Sequence, residues 1–178
     1  MWKEIYDKFY PAGALRDILE KHSRSVAELA IYINNVKGLG LDPVQIEEAA
    51  MLHDIGIFLT DAAGIQCFGS EPYLRHGVLG ADLLRREGAP EWAARVAERH
   101  TGAGITPQDI AEMNLPLPTD RDLMPRTLLE RLICYSDKFY SKSGDMQRKS
   151  PERVRASMAR HSAATLERFE ELDAQFGQ

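Results

Sequence analysis

In the stretch "AAMLHDIGIF", Ala49 to Phe58, a histidine and an aspartate stand side by side inside an apolar run. Imidazole and carboxylate are costly to desolvate unless something pairs with them. Either they satisfy each other and the backbone, or they hold a ligand. His53 follows Ile46 by seven residues and Ala49 and Ala50 by three or four, which puts it on a packed helical face. His22 follows Ile18 and Leu19 at the same steps, His100 follows Val96 and Ala97, and His76 precedes Leu79. Asp137 lies between Ile133 and Tyr140. Four histidines and this aspartate thus fall on the inward faces of five separate helical segments. His161, between Met158 and Thr165, has no carboxylate beside it and reads as a core or surface residue. A lone histidine on an apolar face is ordinarily a hydrogen-bonded core group. A single metal site accounts for the whole set at once, because imidazole nitrogen and carboxylate oxygen are the ligands of first-row divalent metals.

The elements that must carry these groups are helical. Leu15, Ile18, Leu19, Val26, Leu29, Ile33 and Val36 predict a helix from about Ala14 to Val36, ended by Gly38 and Gly40. Asp42 as N-cap and Pro43 at the first position predict a second, running to Gly56 and carrying His53 and Asp54. Residues 60–72 read as an irregular, Gly-bearing loop long enough to be a lid. A helix from near Pro72 to Gly88 and another opened by Pro90 follow, then a short one started by Thr106 and Pro107. "NLPLPTDRDLMP" is irregular. "RTLLERLICYSDKFY" is a strong helix, and Ser150 and Pro151 cap a last one over about 151–176. The expected fold is all-α: a single-domain compact bundle of about seven helices with no strand.

Composition narrows the function classes. A chain of 178 residues is long enough for a sizeable core. No apolar run approaches the ~20 residues of a membrane span, and no basic leader precedes an apolar stretch. The formal charge of −5 argues against general nucleic-acid affinity. Two cysteines, Cys67 and Cys134, in no metal or disulfide spacing, fit a reducing cytoplasm. The amphipathic C-terminal helix offers an apolar face to its own domain or to a partner.

Taken in order, these residues resemble the HD superfamily of metal-dependent phosphohydrolases. The family pattern is a His, a His-Asp pair often extended as HDIG, and a distant Asp. These match His22 in "EKHSRSVA", His53 and Asp54 in "MLHDIG", and Asp137 in "CYSDKFY". Members with two further histidines hold two metals, and those match His76 in "YLRHGVLGADLL" and His100 in "AERHTGAG". The resemblance covers roughly residues 15–142 of an HD domain taken to span 1–178, with the C-terminal helix appended. It implies two divalent transition-metal ions, whether iron, manganese, zinc, cobalt or nickel. It places His22, His53, Asp54 and Asp137 on the first metal and Asp54, His76 and His100 on the second, Asp54 bridging. It implies hydrolysis of a nucleotide or other small phosphoester by a hydroxide between the metals. The same six ligands serve mixed-valent di-iron oxygenases of the HD fold, which cleave C–C or C–P bonds. A non-catalytic nucleotide sensor is the third alternative. The chain has no "GYP" motif, against the cyclic-di-GMP branch, and no (p)ppGpp synthetase region.

A phosphate-rich substrate requires further positive charge. Arg24, Lys138, Lys142 and Arg148 are the candidates, Lys138 foremost because it adjoins Asp137. Gly102, in the "TGAG" after His100, is a candidate to offer a backbone amide to phosphate. Cys67 and Phe68 either lean into the pocket or pack the loop that carries them.

Overall fold

The computed structural model describes residues 1–177. Among the described residues the helices are α1 (Trp2–Phe9), α2 (Ala14–Lys37), α3 (Pro43–Leu52), α4 (His76–Arg86), α5 (Glu91–Arg99), α6 (Pro107–Glu112), α7 (Leu128–Asp137), α8 (Pro151–His161) and α9 (Ala163–Phe176). The all-α expectation holds, with differences that matter for the site. α1 had no counterpart in the sequence reading. It is anchored by Glu48, which accepts from the Trp2 backbone N–H at 2.9 Å. The single C-terminal helix is two. Ser162 adopts an extended backbone and its Oγ accepts from Thr165 N–H at 3.0 Å, so it caps a new helix that folds back on α8. Its apolar stripe stays in phase across that break, which is why periodicity alone reads through it.

Residues 60–72 are also more regular than a loop. β1 (Thr60–Ala62) pairs antiparallel with β2 (Cys67–Phe68) and parallel with β3 (Glu71–Pro72), in the order β2-β1-β3. Cys67 is buried in the core, and Phe68 is exposed.

Local signals set several helix ends. Asp42 caps α3 by accepting from Val44 N–H at 3.0 Å, with Pro43 at the first position. Thr127 and Glu130 form a reciprocal capping box at the start of α7. Gly38 ends α2 in the left-handed conformation.

The buried side chains form two large clusters. One gathers Val26, Ile33, Ile46, Leu132, Phe139 and Phe169. The other gathers Tyr6, Leu19, Leu52, Ile55, Leu84 and Ala97. On α2, Leu19 belongs to one and Val26 to the other, with His22 between them. Val96 and Ala97, just ahead of His100, divide the same way. The polar groups sit on the seam between the two cores.

Candidate metal centre

The structure brings His22, His53, Asp54, His76, His100 and Asp137 together, all buried. The ligand atoms of His22, His53, Asp54 and Asp137 lie within 4.8 Å of one another, and so do those of Asp54, His76 and His100. Asp54 belongs to both groups, and its two oxygens divide between them. Oδ2 faces His22 Nε2 at 3.2 Å and His53 Nε2 at 3.0 Å. Oδ1 faces His76 Nε2 at 3.3 Å and His100 Nε2 at 3.4 Å. Asp137 Oδ1 lies 3.0 Å from His22 Nε2 and 3.4 Å from that of His53.

Helix ends, more than helix faces, position these groups. α3 stops at Leu52, so His53 is its C-cap and Asp54 lies in the turn beyond. His100 is the C-cap of α5, Asp137 the last residue of α7 and His76 the first of α4. Only His22 sits within a helix, as a buried residue of α2. The last carbonyls of a helix have no partner within it. Two of the histidines, His53 and His100, use such carbonyls, and His76 uses the carbonyl of Tyr73 in the 3-10 turn just ahead of its helix. Nδ1 of His53 donates to Ala50 O at 2.5 Å, that of His76 to Tyr73 O at 2.6 Å, and that of His100 to Ala97 O at 2.8 Å. A carbonyl only accepts, so each Nδ1 carries the proton and each Nε2 turns toward the cluster as a ligand atom.

The arrangement suits a cation. His76 and His100 bring their Nε2 atoms to 3.0 Å, and His22 and His53 bring theirs to 3.3 Å. In those tautomers the lone pairs of His76 and His100 oppose one another. Neither Asp54 oxygen, though buried, has a hydrogen bond of acceptable geometry. The titration behaviour follows. Burial pushes His76 down to about 3 and lowers His100, so both are neutral at pH 7. Burial also pulls on His53, but Asp54 and Asp137 outweigh it and raise this group to about 9. Burial opposes ionisation of Asp54 and Asp137, yet the surrounding positive groups hold both well below the carboxylate range. The donor set fits a first-row divalent metal in each group.

The HD domain family matches residues 19–141, most of the chain and all six of these residues. The chain belongs to the HD domain family. The described HD fold is similar to the crystal structure of the HD domain of the Listeria monocytogenes phosphodiesterase PgpH, with a TM-score of 0.58 over 96% of this chain and 93% of that one, at 16% identity. Protein MJ0778 of Methanocaldococcus jannaschii is 38% identical over 110 residues, 62% of this HD chain and 56% of that protein. A tRNA (cytidine(56)-2'-O)-methyltransferase of Thermoplasma volcanium is 34% identical over 135 residues, and that of Picrophilus torridus 27% over 125. The HD chain spans 35% and 32% of the length of these two relatives. At family level, the HD match supports a metal-dependent hydrolase that binds divalent metal.

Beside the cluster a cavity of about 510 Å³ is lined by Asp137, Lys138, Lys142 and Gly102, together with Tyr73 and Lys149. Lys142 Nζ stands 2.5 Å from Asp54 Oδ2. Burial opposes its charge, and the facing carboxylate more than restores it, raising its pKa. Lys138 Nζ donates to Asp137 Oδ2 at 2.7 Å and to His100 O at 3.0 Å. Arg24 and Arg148 do not reach this cavity. Arg24 is held by Glu20 at 2.7 Å, one turn back on its own helix, and lies over the Trp2 ring. Arg148 lies over Phe139. His161 is outside both candidate metal groups and lines the cavity from α8. β1 contributes Ala62 to the wall, but Cys67 and Phe68 are not among the lining residues.

Sequence reasoning did not find Lys149, Tyr73, Ser157 or the cavity role of His161. For Tyr73 the signal was its place three residues before His76, which lets its carbonyl accept from that histidine. Ser157 and His161 share a face of α8 at a four-residue step. Tyr6 and Tyr10 were missed as well. Their hydroxyls donate to Met51 O at 2.5 Å and Ile55 O at 2.8 Å, tying α1 to the carbonyls that flank His53 and Asp54.

Proposed function

We infer that this chain hydrolyses a nucleotide or other small phosphoester at a pair of divalent transition-metal ions. One observation carries the reading: each oxygen of Asp54 faces a different set of imidazole Nε2 atoms, as a shared carboxylate between two cations requires. His22, His53, Asp54 and Asp137 would hold one ion, and Asp54, His76 and His100 the other. Bound there, the ions would supply Lewis acidity toward a phosphoryl group and acidify a water.

The chain's own groups do the rest. Ala50, Tyr73 and Ala97 carbonyls fix the imidazole orientation before any substrate arrives. Lys142 and Lys138 present ammonium groups on the cavity side of the carboxylates, where an anionic phosphoryl group would gain charge-assisted hydrogen bonds. Gly102, with φ of 60°, keeps its segment of the wall free of a side chain.

The test is elemental analysis of anaerobically purified protein followed by a screen of phosphoesters and nucleotides with the metals found. Release of phosphate or of a nucleoside product, without O₂ uptake, is the expected result. Substrate-dependent O₂ consumption with a coupled-iron EPR signal would instead assign oxygenase chemistry. Tight nucleotide binding without turnover would assign a sensor.

A further inference from the structure

A second cavity, of about 290 Å³, adjoins the lysine-lined one, and Gly102 and His161 line both. Leu74, Ile105, Met113 and Leu115 give it apolar walls. Its charged groups, Asp109 and Arg168, close on one another. Arg168 donates to Asp109 Oδ2 at 2.7 Å and to Gly104 O at 3.2 Å, and its Nε is buried, out of reach of a ligand. Asp109 Oδ2 also accepts from Thr106 N–H at 2.8 Å. Thr165 Oγ1 is engaged by Ser162 Oγ at 2.9 Å, and Gly102 O accepts from Cys134 Sγ at 3.5 Å. Thr101 and His161 are the polar side chains left over. Thr101 adjoins Gly102 in sequence and His161 lines both spaces, so this polar remainder sits toward the lysine side. His161, Thr165 and Arg168 lie outside residues 19–141, so this wall is built by α8 and α9 of this chain and not by the part that matches the family.

We propose that the second cavity receives the apolar organic group, a short alkyl chain or a plain aromatic ring, of a phosphoester whose phosphoryl group lies between Lys138 and Lys142. The proposal rests on the phosphohydrolase reading and narrows its substrate to esters of apolar alcohols. The two spaces differ as the two ends of such a molecule do. The first bears the ammonium groups of Lys138, Lys142 and Lys149. The second has one cation, already neutralised within its wall by Asp109. A second phosphate would lose more hydration there than those walls return. A sugar or a heterocyclic base fares little better, because its hydroxyls, ring nitrogens or carbonyls would give up water for a wall whose polar groups are engaged elsewhere. A hydrocarbon group loses nothing of that kind and gains the burial of its surface. Met113 is 38% exposed and lines the cavity, and its flexible thioether adapts to an apolar guest of irregular shape. Gly102, without a side chain, leaves the junction of the two spaces open.

The full chain loaded with Mn²⁺ is titrated calorimetrically with ethyl, butyl and hexyl phosphate and with uridine 5'-monophosphate. Hydrolysis of the same compounds is followed in parallel, and metal content is measured on every variant. Affinity should climb along the alkyl series by about three- to fourfold per methylene. Leu115→Trp, which fills the cavity, should flatten the climb to less than about twofold per methylene. Met113→Asp, which sets a carboxylate in the wall without filling it, is the second variant and should also reduce the slope. A flat series in the unaltered protein overturns the proposal, and so does a climb undiminished in both variants. Uridine 5'-monophosphate binding more tightly than hexyl phosphate would overturn it too, by giving the cavity to a polar group. Failure of the two readings is distinguishable. A climb that flattens in Leu115→Trp while no ester is turned over would remove the hydrolase and leave the apolar site. Turnover of all the esters with equal affinity would do the opposite.

Discussion

Asp54 carries more of the site than any other residue, because both groups of imidazoles meet on its two oxygens. Replacing it by Ala should therefore remove both metal equivalents together. Hydrolysis should fall by more than the about 10–100-fold typical of losing an outer partner of a ligand. Plasma emission analysis of the purified variant decides this, and full metal occupancy would reject the shared role. His53 sets the pH dependence. Its pKa, raised to about 9 in the metal-free protein, means that below that pH a metal must displace a proton, whereas His76 at about 3 is already neutral. Metal affinity should rise roughly tenfold per pH unit from pH 6 and flatten near pH 9. Competition with a chromophoric chelator reads this out, and a flat profile would show that His53 carries no proton to displace. These residues were legible in the sequence because imidazole and carboxylate on apolar faces need a reason to be there. Arg24 misled because proximity in sequence says nothing of direction. Two residues from His22, it points toward Glu20 and Trp2.

At the level of elements, the periodicity reached the right helices and overran their ends. Apolar spacing continues through Ile55 and Ile57, so α3 read as continuing to Gly56, while the backbone turns after Leu52. The Nδ1 bonds of His53 and His100 to helix-terminal carbonyls were not legible, because they depend on where each helix stops and not on the residue types within it. The split at Ser162 was missed although Ser162 is itself an N-cap type. Gly56 shows how elements fix the distance between the two ligand groups. A Cβ there would overlap the His76 carbonyl oxygen and lie 2.5 Å from Gly80 N, so the turn after Asp54 packs directly on the start of α4. Both close neighbours are backbone atoms, which cannot rotate aside. Gly56→Ala should cost about 1–3 kcal/mol or more as an overpacking change. It should also push His76 away from Asp54, so that the metal content falls from two equivalents toward one while the group at His22, His53 and Asp137 still binds. Denaturant melts and metal analysis on one preparation would check both halves, and two full equivalents in a destabilised variant would detach Gly56 from the second group.

For the molecule as a whole, the cluster is a polar seam between two apolar cores, and a cation there should act as a fastener. Apolar burial within each core is independent of metal, but α2, α4, α7 and the turns that end α3 and α5 each contribute a group to the seam. The charges of Asp54 and Asp137 are offset within the chain by Lys142, Lys138 and a protonated His53. With those partners alone the Nε2 atoms of His76 and His100 remain opposed and the Asp54 oxygens poorly bonded. A metal that binds the folded chain and not the unfolded one adds about 2.7 kcal/mol when its free concentration is a hundred times its dissociation constant. For a chain of this length that corresponds to a rise in Tm of about 5–10 °C. Scanning calorimetry with chelator, and then with Mn²⁺ or Zn²⁺ restored, should show that rise, and Asp54→Ala should abolish it. An identical Tm with and without metal in the unaltered protein would mean that protons and lysines alone hold the seam closed, and the two-cation reading would lose its footing.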